Sequence, residues 1–270
     1  MYMVIYHVMQ HAGMQNSKGM AILSYLNFFM PWFFYKGGMF FMAQDTAVVI
    51  KKSGRRLICP YVVWSIVGML VFLYIACYVE HAFTLWGYLK MNLYLILTEG
   101  SLPGNLPLWF LVALFVARIV FNECHKNAIH PIWPTALGIT VSVLLHFTGL
   151  QLPYYVNYIS SGIFFFGVGI MLRDKTENKQ LQLLCIVVYV LLSVVSKPIV
   201  DIRTNVLSEG YYLLWPIWSV AGIVTINTVF LSLQRFANIG ISLLRLAGKH
   251  SMYIYVIHWP ILLVIFRVLL

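Results

Sequence analysis

Charged side chains are scarce in this sequence. Its 18 lysines and arginines and 8 aspartates and glutamates make up 10% of 270 residues. A water-soluble domain carries about 25%, so the composition excludes an ordinary soluble enzyme. Low-complexity tracts and internal repeats of fixed period are missing too, which excludes a disordered chain, a fibre and a solenoid. The four cysteines, Cys59, Cys77, Cys124 and Cys185, are scattered and form no CxxC pair. That spacing suits neither a disulfide framework nor a zinc site, and they read as small buried hydrophobes. There is no HExxH helix and no GxSxG elbow, so no catalytic metal and no soluble hydrolase domain are expected. No aromatic-rich basic module stands outside the apolar segments, so the net charge of +10 does not point to nucleic acid.

Apolar residues, by contrast, fill 61% of the chain, and its mean hydropathy is +0.84. This composition predicts an all-α, polytopic transmembrane helical bundle of about 9–10 spans. Residues 1–13 form an apolar helical stretch too short to span, without the basic start and cleavage site of a signal peptide; it reads as the end of a truncated first helix. Further apolar runs cover 26–50, 57–79, 106–121, 132–150, 156–172, 181–200, 211–230 and 251–270. The segment 84–98 is interrupted by Gly87, Lys90 and Asn92 and is read as interfacial or re-entrant. With nine crossings, twelve of the 18 basic residues fall on one side: Lys51, Lys52, Arg55, Arg56, Arg118, Lys126, Arg173, Lys175, Lys179, Arg235, Arg245 and Lys249. Lys18, Lys197 and Arg203 fall on the other. Lysine and arginine mark the cytoplasmic side, so the chain is expected to be multi-pass in the cytoplasmic (inner) membrane, with residues 1–270 as one integral-membrane domain.

Ionisable residues inside apolar runs are costly and therefore informative. His7 and His11 lie four apart on one helix face. Either they move protons near neutral pH, or they hydrogen-bond neighbouring helices. Lys36 lies within Met30-Pro31-Trp32-Phe33-Phe34-Tyr35-Lys36-Gly37-Gly38, near the middle of its run. It either lines a cavity for an anionic group or snorkels. Arg55 and Arg56 open the third run as a positive-inside anchor, or as a fork for phosphate groups. Trp109 and Phe110 form an aromatic belt or the apolar wall of a cavity. Tyr255 and His258 share a face just before Pro260, either as a cavity wall or as a satisfied core pair.

Five of these segments, in order, resemble the integral-membrane acyltransferase-3 family. Met3-Val4-Ile5-Tyr6-His7 is similar to the family's Val-Val-x-x-His, with His11 as a second match. Met30 to Gly38 resembles its Met-Pro-Leu-Phe-Phe-Phe-x-Ser-Gly, with Lys36 at an apolar family position. Lys51-Lys52 through Arg56-Leu57-Ile58-Cys59-Pro60-Tyr61 resembles its basic entry to the third helix. Pro107-Leu108-Trp109-Phe110-Leu111 is intact, and Gly248 to His258 resembles the closing Gly-Lys-x-Ser-x-x-Ile-Tyr-x-x-His. The family's arginine or aspartate about ten residues before the first histidine has no counterpart here.

The resemblance implies transfer of an acyl group, most often acetyl, from acyl-CoA to a hydroxyl of a cell-surface glycan or its lipid-linked precursor. Acetyl-CoA would be a co-substrate, with no permanently bound cofactor. His7 is the first candidate base, with His11 and His258 as alternatives. Arg55, Arg56, Lys36 and Lys52 are the candidate donor-binding residues, and Trp109, Phe110 and Tyr255 the candidate substrate contacts. Expected partners are membrane lipids, the glycan acceptor and polysaccharide biosynthesis proteins. Two other readings compete: a glycan or lipid-linked sugar flippase, which should show a two-half repeat that this sequence lacks, and an inactive partner of a polysaccharide synthesis complex.

Overall fold

In the computed structural model, residues 2–100, 102–150, 152–233 and 250–269 are described. Arg235, Arg245, Gly248 and Lys249 lie outside them, as does the side chain of Ser251. Apolar runs cross lipid as helices because each peptide group must find its partner within the segment. Helices α1 (Tyr2–His11) and α2 (Lys18–Ser24) lead to α3 (Phe29–Met39). A long helical stretch, α4 (Thr46–Val79), comes next, with π-helical turns at Gly54–Ile58 and Ile75–Val79. Helix α5 (Leu85–Thr98) is joined by a 3₁₀ turn, Pro103–Leu108, to α6 (Trp109–Lys126). Then come α7 (Ile132–Thr148), α8 (Tyr154–Leu172) and α9 (Lys179–Val195). An antiparallel hairpin of β1 (Ile199–Asp201) and β2 (Val206–Glu209) precedes α10 (Trp215–Leu233). Helix α11 (Ser251–Val264) continues as a π turn to Leu269. Ser17, Thr84 and Asn178 cap α2, α5 and α9 by accepting backbone N–H groups of the first turn.

Five stretches are long and apolar enough to cross a membrane: Thr46–Val79, Leu85–Lys126, Tyr154–Lys175, Tyr212–Leu233 and Met252–Leu269. Helices α7 and α9 are shorter apolar helices. The chain is an all-α polytopic membrane protein, as its composition predicts, with one small hairpin. Helix α9 turns Leu183, Leu184, Val187, Val190, Leu191 and Val194 outward. Each would cost free energy in water and costs none against acyl chains. The interior is aromatic: Phe28, Phe34, Phe121, Tyr158, Phe165, Phe166, Trp215 and Trp218 are all but fully buried. Helix α3 packs on α8 backbone to backbone. A side chain on Gly38 would strike the Phe166 carbonyl, and one on Gly169 the Tyr35 carbonyl. Gly37 and Gly38 thus serve a partner helix.

The structure corrects several expectations. The run 26–50 is not one helix: α3 ends at Met39, and the next helix starts at Thr46. The backbone between them is satisfied from outside, since Asn122 Oδ1 accepts the Gln44 N–H at 3.0 Å. Lys51, Lys52, Arg55 and Arg56 therefore sit on helix rather than in a loop. Lys36 lies in the last turn of α3, not mid-span, with Nζ 3.7 Å from Met39 Sδ and 5.8 Å from the Phe40 ring centre. The run 181–200 ends as helix at Val195, and its last residues form a strand. Of the cysteines only Cys185 is buried; Cys77 and Cys124 are half-buried and Cys59 is exposed. An apolar exterior makes an outward thiol inexpensive.

The ends of α6 and α8 define two faces. At their C-termini Lys126 Nζ lies 3.8 Å from Asp45, Arg173 donates to the Phe41 carbonyl at 3.1 Å, and Lys52 donates to Gln44 at 3.0 Å. At their N-termini sits the hairpin. Arg203 is ion-paired to Glu99 at 2.6 Å and lies 5.3 Å over the Tyr154 ring, and Lys197 pairs with Glu209 at 3.3 Å. The cationic face should be cytoplasmic. In a chain freed of its native cysteines, single cysteines at Lys51 and Glu177 should therefore react only from the cytoplasm, and those at Leu152 and Val206 only from outside. Reversal of either pair would contradict this orientation.

Candidate active site

The last helix carries Pro260, which has no N–H to give the carbonyl four residues back. That carbonyl belongs to Val256, and Asn105 Nδ2 donates to it at 2.9 Å. Asn105 reaches it from a break in the 3₁₀ turn, with φ −156 and ψ 65, and is buried. Gly104 beside it lies against the backbone of Gly68 in α4, where a side chain would collide. Trp259 Nε1 donates to the Pro103 carbonyl at 3.1 Å, and the Tyr255 hydroxyl donates to the Pro107 carbonyl. The turn that opens α6 is thereby fastened to α11.

This fastening presents His258 to the first helix. Its Nδ1 lies 2.7 Å from the Tyr255 carbonyl and 3.2 Å from that of Ile254. Carbonyl oxygens only accept, so Nδ1 carries the proton and Nε2 keeps its lone pair. Nε2 is buried without a hydrogen-bond partner among the described residues. The His7 ring stacks on that of His258, with centres 5.4 Å apart and planes 24° from parallel. It also meets Trp259 edge-on at 4.8 Å. His7 Nδ1 lies 3.3 Å from Gln10 Oε1, which leaves its Nε2 as the acceptor. His11 is set apart, between Trp259 at 5.1 Å and Phe266 at 5.7 Å.

His7 and Trp109 line one cavity of about 400 Å³ with Tyr2, Tyr6, Gln10, Asn27 and Trp259, and with Asp201, Arg203 and Ser208 of the hairpin. Of the residues singled out from sequence, His7, His258 and Trp109 meet here. Phe110 and Tyr255 are buried against each other, centres 5.7 Å apart, and support the wall without lining it. His11 does not line it either. Lys36, Lys52, Arg55 and Arg56 belong to the cationic half of the bundle. Arg55 and Arg56 are exposed on the π turn that packs against α6. A second cavity, of about 310 Å³, opens at that end between Phe41, Phe121, Cys124, His125, Ile170 and Arg173.

Sequence reasoning missed four residues. It counts Arg118 only as a topology marker, yet Arg118 Nε is buried without a hydrogen-bond partner among the described residues, within electrostatic range of Arg56. Asp201 and Arg203 are hidden when 181–200 is taken as a span and residues 201–210 as its loop. Asn105 has no signal beyond its place between a glycine and a proline-bounded helix start. Among the described residues no three histidine, cysteine or acidic side chains gather as a metal site would require.

The family described as acyltransferase domain, the acyltransferase-3 family, matches residues 1–270. The chain belongs to that family, a class of membrane proteins built for acyl transfer. No curated protein and no solved structure gives a significant match.

If Asn105 compensates for Pro260, the two should be thermodynamically coupled. Asn105→Ala should cost about 1–3 kcal/mol by stranding the Val256 carbonyl, read as a lower Tm in detergent. In a Pro260→Ala background, where residue 260 regains its N–H, the same change should cost clearly less. Equal losses in both backgrounds would contradict the coupling.

Proposed function

We propose that this chain is an O-acyltransferase of the cytoplasmic membrane, with acetyl as its acyl group and acyl-CoA as its donor. The acceptor is a hydroxyl of a cell-surface glycan or its lipid-linked precursor. The observation that carries the reading is the stacked pair His7–His258, each ring held at Nδ1 with Nε2 as the free acceptor, beside a cavity walled by Trp109. A sugar hydroxyl is a poor nucleophile at neutral pH and needs a base at hydrogen-bond distance. His7 Nε2 takes that proton as the hydroxyl oxygen attacks the thioester carbonyl. The carbon–sulfur bond then breaks, and the departing thiolate recovers a proton from the histidinium. His258 holds the His7 ring in place and is the second group able to accept the proton. The cationic end suits the phosphates of the donor, because Arg55 and Arg56 are exposed there and a guanidinium binds phosphate with two parallel hydrogen bonds.

His7→Ala should lower kcat by about 10²–10⁴-fold and leave donor affinity largely intact, since the base acts in the transition state. His11→Ala should keep near-normal kcat, because its ring lies outside the cavity. Near-normal kcat in H7A with loss in H11A would exchange their roles; loss in neither would rule out a base on this helix.

The donor end has its own test. Arg56→Ala should raise the donor KM about tenfold, and Arg56→Lys should recover little if the planar fork matters. An unchanged KM at equal membrane abundance would leave Arg56 as an anchor only.

A further inference from the structure

The hairpin is built to hold a rigid surface against the cavity. Val200 and Ile202 point into the core, so Asp201 between them points away from it. Its turn is locked by Asn205, which adopts a left-handed conformation at φ 61. Asn205 donates to the Ser142 carbonyl at 2.8 Å and accepts from the Tyr212 hydroxyl, while its own carbonyl lies 3.2 Å from His146 Nδ1. From the other side, Asn27 Nδ2 donates to the Val200 carbonyl at 3.3 Å. Strand β1 is thus fixed to α7, to the entry of α10 and to the segment before α3.

The charges on this surface are unequal. The cavity lining contains one cation, Arg203, and its guanidinium is already bound to Glu99. Glu209 on the partner strand is matched by Lys197. Asp201 lines the cavity with no cationic partner among the described residues. One of its oxygens accepts the Arg203 backbone N–H at 2.9 Å, and the other is free to accept.

We propose that Asp201 sets acceptor specificity: it accepts hydroxyl or ammonium hydrogens of a neutral or amino sugar lying against Trp109, and it repels acidic sugars. This rests on the glycan-acylation reading above and adds the charge class of the acceptor. A carboxylate accepts sugar hydroxyls well, but facing a second carboxylate it is left with two desolvated like charges.

The test is equilibrium binding, without acyl donor, of labelled maltotriose, chitosan trimer and tri-galacturonate to the full chain in nanodiscs. Wild type should bind the anionic trimer at least about tenfold more weakly than the neutral one, and the amino trimer at least as well as the neutral one. Asp201→Asn keeps an oxygen for the Arg203 N–H and should hold the turn; it should bring the anionic and neutral affinities within about threefold. Glu209→Gln, which removes a paired acid outside the cavity lining, should leave the wild-type order unchanged. The proposal is overturned if wild type binds none of the three or prefers the acidic trimer, if D201N keeps the wild-type order, or if E209Q changes the order as D201N does. Because binding is read without donor, failure of acyl transfer leaves this order measurable, and loss of the order leaves transfer measurable.

Discussion

A missing backbone N–H in the last helix organises the candidate site. Pro260 leaves the Val256 carbonyl without its helical partner, and in a dry interior an unpaired carbonyl is costly. Asn105 supplies the bond, at 2.9 Å, from a turn that only glycine backbones allow so close to α4. The Tyr255 hydroxyl and the Trp259 indole add two more ties to the same turn. Tyr255, Val256, His258 and Trp259 thereby face inward on a fixed register, and His258 meets His7 of the first helix. The proline, the asparagine and the histidines form a single arrangement, so a change in one is expected to be felt by the others.

The rest of the bundle separates two chemistries. One face gathers arginine and lysine beside a cavity near Phe41 and Arg173; the other gathers histidine, tryptophan and the hairpin around a larger cavity. Between them stands the aromatic interior, with Phe34 packed on Phe110 at 4.8 Å and Trp109 on Tyr158 at 5.0 Å. Glycine contacts between α3 and α8 hold this interior tight. On the acyl-transfer reading, the pantetheine arm of the donor is the part of the substrate slender enough to bridge the two faces.

Much of the fold was legible in hydropathy. The runs 132–150, 156–172 and 211–230 closely foreshadow α7, α8 and α10, because uninterrupted apolar residues leave a chain in lipid few alternatives to helix. The run 26–50 misled for a physical reason: its break is stabilised by Asn122, far away in sequence, and a window along the chain does not see that bond. The basic run at 51–56 misled because lysine and arginine are good helix formers as well as loop markers. The hairpin hid in an apolar run because Val200 and Ile202 are as hydrophobic as any span residue. For the site, His7, His258 and Trp109 stood out as residue types in the wrong solvent, and the motif resemblance singled them out as well. Their stacking and the place of Asp201 come from helix packing, which sequence spacing does not encode.

The central claim is that one chain joins a donor bound at its cationic face to an acceptor bound at its histidine face. The most direct measurement places the two substrates on opposite sides of a membrane. Proteoliposomes containing the chain in a single orientation would receive radiolabelled acetyl-CoA on the cationic side and a membrane-impermeant oligosaccharide acceptor on the other. The account predicts label on the acceptor, and none when both substrates are on the histidine side. Transfer only when donor and acceptor share one side would contradict it.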